Sequence, residues 1–116
     1  MLSLHSLSQK RVYECNSEEN QFRQTWEIDI ENQTIRRLSS LNLRDGMVYE
    51  GDGFRNNVIW KDGFIYLLYR GIDDGKMSDD VYFYRFDLVK NLFISEIYDD
   101  YDGSLFKTVY KCFSYK

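Results

Sequence analysis

The sequence predicts an all-β domain of about eight antiparallel strands in an up-and-down meander, closed into a small barrel. A two-layer β-sandwich is the alternative architecture. Three observations carry this reading. The 116 residues include no Ala and no Pro, and Ala is the best helix former, so its absence weighs against a helix-rich chain. Five of the seven glycines follow an aspartate, at Gly46, Gly53, Gly63, Gly75 and Gly103, and Asp-Gly suits tight β-turns because both residues tolerate φ > 0. Between these turns lie short runs rich in Tyr, Phe, Ile, Val and Thr, which fit a pleated, half-buried surface.

Taken in order, residues 1–9 read as a flexible N-terminal tail and residues 10–116 as one all-β domain. Lys10–Asn16 is the first strand. Phe22–Ile30 follows, with Phe22, Gln24, Trp26, Ile28 and Ile30 alternating against Arg23, Thr25, Glu27 and Asp29. Gln33–Leu41 is the third strand. Met47–Glu50 is either a short strand of its own or the start of the fourth, Arg55–Lys61, broken at Gly51-Asp52-Gly53. Phe64–Gly71 is apolar on both faces as far as Tyr69 and reads as a central strand. Asp80–Leu88 alternates through Tyr82, Tyr84, Phe86 and Leu88, and Leu92–Asp99 and Ser104–Ser114 complete the set. Nowhere does a helical apolar period appear.

One motif recurs. Trp26, Ile28, Asp29, Ile30 and Ile35 have the same spacing as Tyr84, Phe86, Asp87, Leu88 and Phe93. Two hairpins sharing one solution explain it, with each Asp near the end of its first strand and able to accept bonds from turn amides.

The cysteines bear on closure. Val12-Tyr13-Glu14-Cys15 lies in the first strand and Val109-Tyr110-Lys111-Cys112 in the last, in the same apolar–aromatic–charged order. In a closed, even-stranded meander these strands are antiparallel neighbours, so Cys15 can face Cys112. Glu14 and Lys111 then project to the other face, in reach of a diagonal pair. The readings are a disulfide between Cys15 and Cys112 or two buried free thiols of a reducing cytosol.

Charge is uneven. Residues 1–44 are neutral, residues 45–104 carry net −7 and residues 105–116 carry +3, for −4 overall. In an eight-stranded meander alternate connections share an end. That rule gathers Glu18 and Glu19, Asp45, Glu50 and Asp52, then Asp73, Asp74, Asp79 and Asp80, then Asp99, Asp100 and Asp102 onto one rim. If Met47–Glu50 is a separate strand, the count flips and the N-terminal acids leave that rim. Loops on a rigid scaffold are a usual place for binding residues. The candidate partner-binding residues are Asp73, Asp74, Asp79, Asp80, Asp99, Asp100, Tyr101 and Asp102, tyrosine beside aspartate being suited to a partner bearing Arg or Lys.

The chemistry available is narrow. The single His is His5, in the tail, so a Ser-His-Asp or Cys-His arrangement has little to draw on. No phosphate loop or dinucleotide fingerprint occurs. Asp73-Asp74-Gly75 and Asp100-Tyr101-Asp102-Gly103 offer hard oxygens, but without the spacing and distal Glu of a calcium loop. Two Cys and one His are too few for a structural zinc. The expectation is no enzyme, no cofactor and no metal. An acidic balance argues against direct nucleic-acid binding, and no stretch of about 18 uncharged apolar residues exists to span a membrane.

The expected function is therefore a non-catalytic protein-binding inhibitor, or an immunity or anti-defence-type protein. It engages a basic protein, or a nucleic-acid-binding protein, through an acidic loop rim. A small-molecule or carbohydrate-binding barrel and a structural subunit, for instance of a virion, are the alternatives. The lack of Ala and Pro beside abundant Phe, Tyr, Ile, Asn and Lys also fits an AT-rich bacterial or phage genome, as it fits the β-preference of those residues. No leader is visible at the N-terminus, so the expected location is cytoplasmic, or periplasmic or secreted if a leader was removed.

Overall fold

The computed structural model describes residues 10–51, 54–55, 58–73, 76–99 and 103–115; at 50, 69–73 and 76–79 the backbone is described. It is an antiparallel all-β structure of nine strands, with no helix among the described residues. The chain divides into two compact units, Met1–Arg55 with Cys112–Lys116, and Asn56–Lys111.

The first unit contains β1 (Lys10–Ser17), β2 (Phe22–Asp29), β3 (Thr34–Asn42) and β4 (Val48–Glu50). They hydrogen-bond in the order β4-β3-β2-β1, with β9 (Leu105–Tyr115) next to β1. The alternation read in the sequence is the burial pattern: Trp26 and Ile28 of β2 are fully buried, with Tyr13 and Cys15 of β1 and Ile35 of β3. Trp26 brings a polar N–H into this core, and Gln24, also buried, accepts from its Nε1 at 2.9 Å. On the outer face of β1 and β2, Arg23 Nε lies 3.5 Å from Glu14 Oε2 and donates to Asn16 Oδ1 at 2.7 Å. Glu14 thus pairs with Arg23 on β2, where the sequence suggested Lys111.

Of Met47–Glu50, Val48–Glu50 is a strand of its own rather than the start of the fourth, so the count among the described residues is nine rather than about eight. The reason lies in β3. Its register with β2 shifts between Thr25 and Trp26, because Leu38 is an extra residue there. Gly51 comes so close to this bulge that a Cβ on it would lie 2.2 Å from the Arg37 carbonyl oxygen and 2.5 Å from that of Leu38. The regular ladder stops at Glu50↔Ser39, and Arg55 lies beside β3 again, its N–H donating to the Ile35 carbonyl at 2.8 Å. Two cations sit over rings in this stretch: Arg55 5.5 Å from the Trp26 centroid and Arg36 5.0 Å from that of Phe54.

The second unit contains β5 (Val58–Lys61), β6 (Phe64–Asp73), β7 (Lys76–Asp87), β8 (Leu92–Tyr98) and most of β9, in the order β9-β8-β7-β6-β5. Its core is aromatic. Phe86 and Phe93 stack at 4.5 Å, and Tyr84 and Tyr110 meet Phe93 at 5.1 and 5.0 Å, over buried Ile65 and Leu67. β6 pairs on both sides, as a central strand should, but Leu68 is 55% exposed, so its two apolar faces are not both buried. Among the described residues β4 and β5 each have one hydrogen-bonded neighbour strand.

The repeated motif is one hairpin built twice. Ile28 faces Ile35 and Asp29 faces Thr34; Phe86 faces Phe93 and Asp87 faces Leu92. Asp29 accepts from the Asn32 backbone N–H at 3.1 Å, and Asp87 from those of Val89 and Lys90 at 3.1 and 3.0 Å. In both turns the fourth residue after the aspartate is left-handed, Gln33 at φ 52° and Asn91 at φ 56°.

Candidate functional site

In the second unit, β6, β7, β8 and β9 are successive antiparallel neighbours, so the β6–β7 and β8–β9 connections lie at one end and the β5–β6 and β7–β8 connections at the other. The charges divide accordingly. Residues 73–80 and 99–102 hold seven aspartates and one lysine, Lys76. The opposite turns hold Lys61, Asp62 and Lys90, nearly neutral.

The structure places the sequence-derived candidates as follows. Asp73 is paired through its backbone with Lys76 at the tip of the β6–β7 hairpin, and Asp79 and Asp80 lie on β7. Asp80 and Asp99 are both half-buried. The β7–β8 register ends at Val81↔Tyr98, so Asp80 and Asp99 each follow directly on the last pair, and β7 is irregular against β6 between Met77 and Val81. The β8–β9 connection closes through Asp99 N–H donating to the Ser104 carbonyl and Gly103 N–H donating to that of Asp99, both at 2.9 Å. Gly103 there has φ 73°, the conformation that Asp-Gly was expected to supply. Asp74, Asp100, Tyr101 and Asp102 lie outside the described residues, as do the side chains of Asp73 and Asp79.

The single rim read from the sequence gathered four connections by counting strands. With β4 separate that count no longer unites them, and the two units carry their acids independently. In the first unit the β1–β2 and β3–β4 turns share an end and are joined by Leu43 N–H donating to the Gln21 carbonyl at 2.7 Å. Glu18, Glu19 and Asp45 stand there with Arg44, around an open hollow of about 540 Å³ lined by Glu19, Asn20, Gln21, Leu43 and Arg44. Asp52 lies outside the described residues.

Alternation also decides what lies beside the second unit's acids. On β7, Tyr84 and Phe86 are buried, on β8 Phe93 and Ser95, and on β9 Tyr110. The same face continues toward the acidic end through Tyr82, Ile97 and Phe106, and then on β8 and β9 to Asp99 and Ser104. Along this face burial falls away: Phe93 is fully buried, Ile97 half-buried, and Phe106, opposite Ile97, is 59% exposed. Sequence reasoning missed this row. Its signal was the alternation itself, carried past the core toward the acidic loops.

Among the described residues no three His, Cys, Asp or Glu side chains are grouped to hold a metal ion, and no helix is long and apolar enough to cross a membrane. Asp29 is held below the ordinary carboxylate range, chiefly because the Asn32 side-chain amide donates to it at 2.9 Å, with the Asn32 backbone N–H adding to this. Its role is in the turn. Cys15 and Cys112 are joined by a disulfide of 2.05 Å, their Cα atoms 4.0 Å apart across 97 positions of sequence. Comparison with known protein families, curated proteins and solved structures finds no match.

Proposed function

We propose that this chain is a non-catalytic binding protein, an inhibitor or an immunity or anti-defence-type protein. It engages a basic partner surface, that of a basic protein or a nucleic-acid-binding protein, through the acidic end of residues 56–111. One observation carries the reading: the antiparallel order of β6 to β9 sets the β6–β7 and β8–β9 connections at the same end, and those connections with the strand residues that flank them account for seven aspartates. A field of one sign on a rigid scaffold steers an oppositely charged partner and raises its association rate. The architecture this assumes is the closed barrel rather than the sandwich; the single sheet made by β9 lying next to β1 is in keeping with it, with β4 and β5 at the two ends of the strand order. Of the two locations, the disulfide favours the periplasmic or secreted one over the cytoplasmic one, since thiols stay reduced in the cytosol.

The test begins with affinity capture from the native host. It then compares the captured partner's association kinetics with the wild type and with Asp99→Asn/Asp100→Asn/Asp102→Asn. The expected result is an association rate about ten-fold slower at low salt, a gap that closes toward 0.5 M salt as the Debye length shrinks. An unchanged rate and salt slope refutes the reading.

A further inference from the structure

We infer that the partner surface engaged by the acidic end is a protein segment in which arginine alternates with apolar side chains, and that the row Tyr82–Ile97–Phe106 is its docking floor. The inference rests on the proposed function and specifies the partner's chemistry.

Three placements carry it. First, Tyr82 faces Ile97 across β7 and β8, and Ile97 faces Phe106 across β8 and β9, so the three side chains form one cross-strand row on a single face. Second, this row ends the buried face rather than continuing it: Phe106 keeps 59% of its surface in solvent, while Tyr110 and Phe93 deeper on the same face are 4% and 0% exposed. Phe106 adjoins half-buried Ile97, and Ile97 adjoins half-buried Tyr82, so the exposed ring belongs to a contiguous apolar surface rather than standing singly. Third, Asp99, whose backbone N–H donates to the Ser104 carbonyl in continuation of the β8–β9 ladder, sits one step beyond Ile97 on the same face of β8, and Asp80 lies on the adjoining strand β7. A carboxylate directly beside an aromatic–apolar row, in an acidic end, matches one side-chain chemistry best. A guanidinium is planar and weakly hydrated, forks onto carboxylates and stacks on rings, whereas an ammonium is a strongly hydrated point charge. The apolar neighbours of that arginine then cover Phe106 and Ile97. A phosphate backbone has no group for either half of this surface.

The experiment uses the full-length oxidised protein and two synthetic peptides of equal length and charge, one alternating arginine with leucine and one alternating arginine with serine. Affinities are measured by fluorescence anisotropy at 50 and 300 mM NaCl, and amide shifts by NMR. At 50 mM both peptides bind. At 300 mM the leucine peptide binds about ten-fold more tightly, as burial of roughly one apolar side chain requires, and its contact shifts fall on Tyr82, Ile97 and Phe106. Phe106→Ser brings the two peptides within two-fold of each other, and Asp80→Asn/Asp99→Asn weakens both at 50 mM. Equal affinities of the two peptides for the wild type overturn the inference while leaving the acidic-rim reading standing; that comparison depends on no variant. Failure of both peptides to bind at 50 mM overturns the acidic-rim reading itself. Self-association that Phe106→Ser abolishes assigns the row to a second copy, and tighter peptide binding after deletion of residues 2–9 assigns it to the chain's own N-terminal segment; either result overturns the inference.

Discussion

Breaking the Cys15–Cys112 disulfide tests how the end of β9 is held. The bond closes a loop across 97 positions of a 116-residue chain and ties Cys112, at the head of the last segment of the first unit, to the middle of β1. Loop-closure entropy for that length is worth about 4.7 kcal/mol at 25 °C, and measured values for native disulfides commonly fall at about 2–5 kcal/mol. With an unfolding entropy of about 2.1 cal/mol/K per residue, the chain loses roughly 4 °C of Tm per kcal/mol, so removing the bond lowers Tm by about 8–20 °C. Two perturbations separate the link from its packing. Reduction removes the link and keeps both sulfurs, whereas Cys15→Ala/Cys112→Ala also empties space beside fully buried Cys15 and is expected to cost up to about 1 kcal/mol more. The assay is thermal and urea unfolding followed by circular dichroism, with thiols counted in the reduced sample. The urea m-value rises on reduction, because the unlinked unfolded chain exposes more surface. A Tm loss below about 4 °C in protein with two titratable thiols refutes the argument, because the ends of the chain are then held without the bond.

Two further outcomes follow from local geometry. Gly51→Ala drives a Cβ to 2.2 Å from a backbone oxygen of β3, and no side chain can rotate away to relieve it, so urea unfolding should show a loss of about 1–3 kcal/mol. Gly46→Ala, with open space around it and only φ 76° to oppose a side chain, costs about 1 kcal/mol in the same assay. The second outcome concerns acid. The folded-state pKa of Asp29 lies below its ordinary 3.8 because Asn32 donates to the carboxylate. Its contribution is therefore fully present above the unfolded pKa and is lost as pH falls through the folded value. The stability gap between wild type and Asp29→Asn should be constant above pH 5 and narrow below 3.8; a gap independent of pH down to 2 contradicts this assignment.

Much of the fold was legible residue by residue. The alternation of Phe22 to Ile28 and of Tyr82 to Phe86, punctuated by Asp-Gly, placed strands within a few residues of their observed bounds. The largest shift is at β7, which starts at Lys76 rather than Asp80 because its first residues pair with β6 beyond the end of β8. The twin hairpins were legible to the role of Asp29 and Asp87, because a turn is closed by residues within five positions of one another and its chemistry is local. The candidate site was half legible. Aspartates in turns are visible as composition, but which turns share an end depends on strand parity, and one added strand changes that parity everywhere beyond it.

By itself, then, the sequence determined the antiparallel all-β class, the twin hairpin turns after Asp29 and Asp87, the apolar faces of β2 and β7 and the uneven charge, since these depend on period-2 alternation and short-range backbone preferences. Only the tertiary structure decided that β4 stands apart and that Phe106 opens the buried face near Asp99. The first depends on how closely Gly51 approaches the β3 bulge. The second depends on where neighbouring strands stop covering one another. Both are distances between segments far apart in the chain, and no local pattern encodes them.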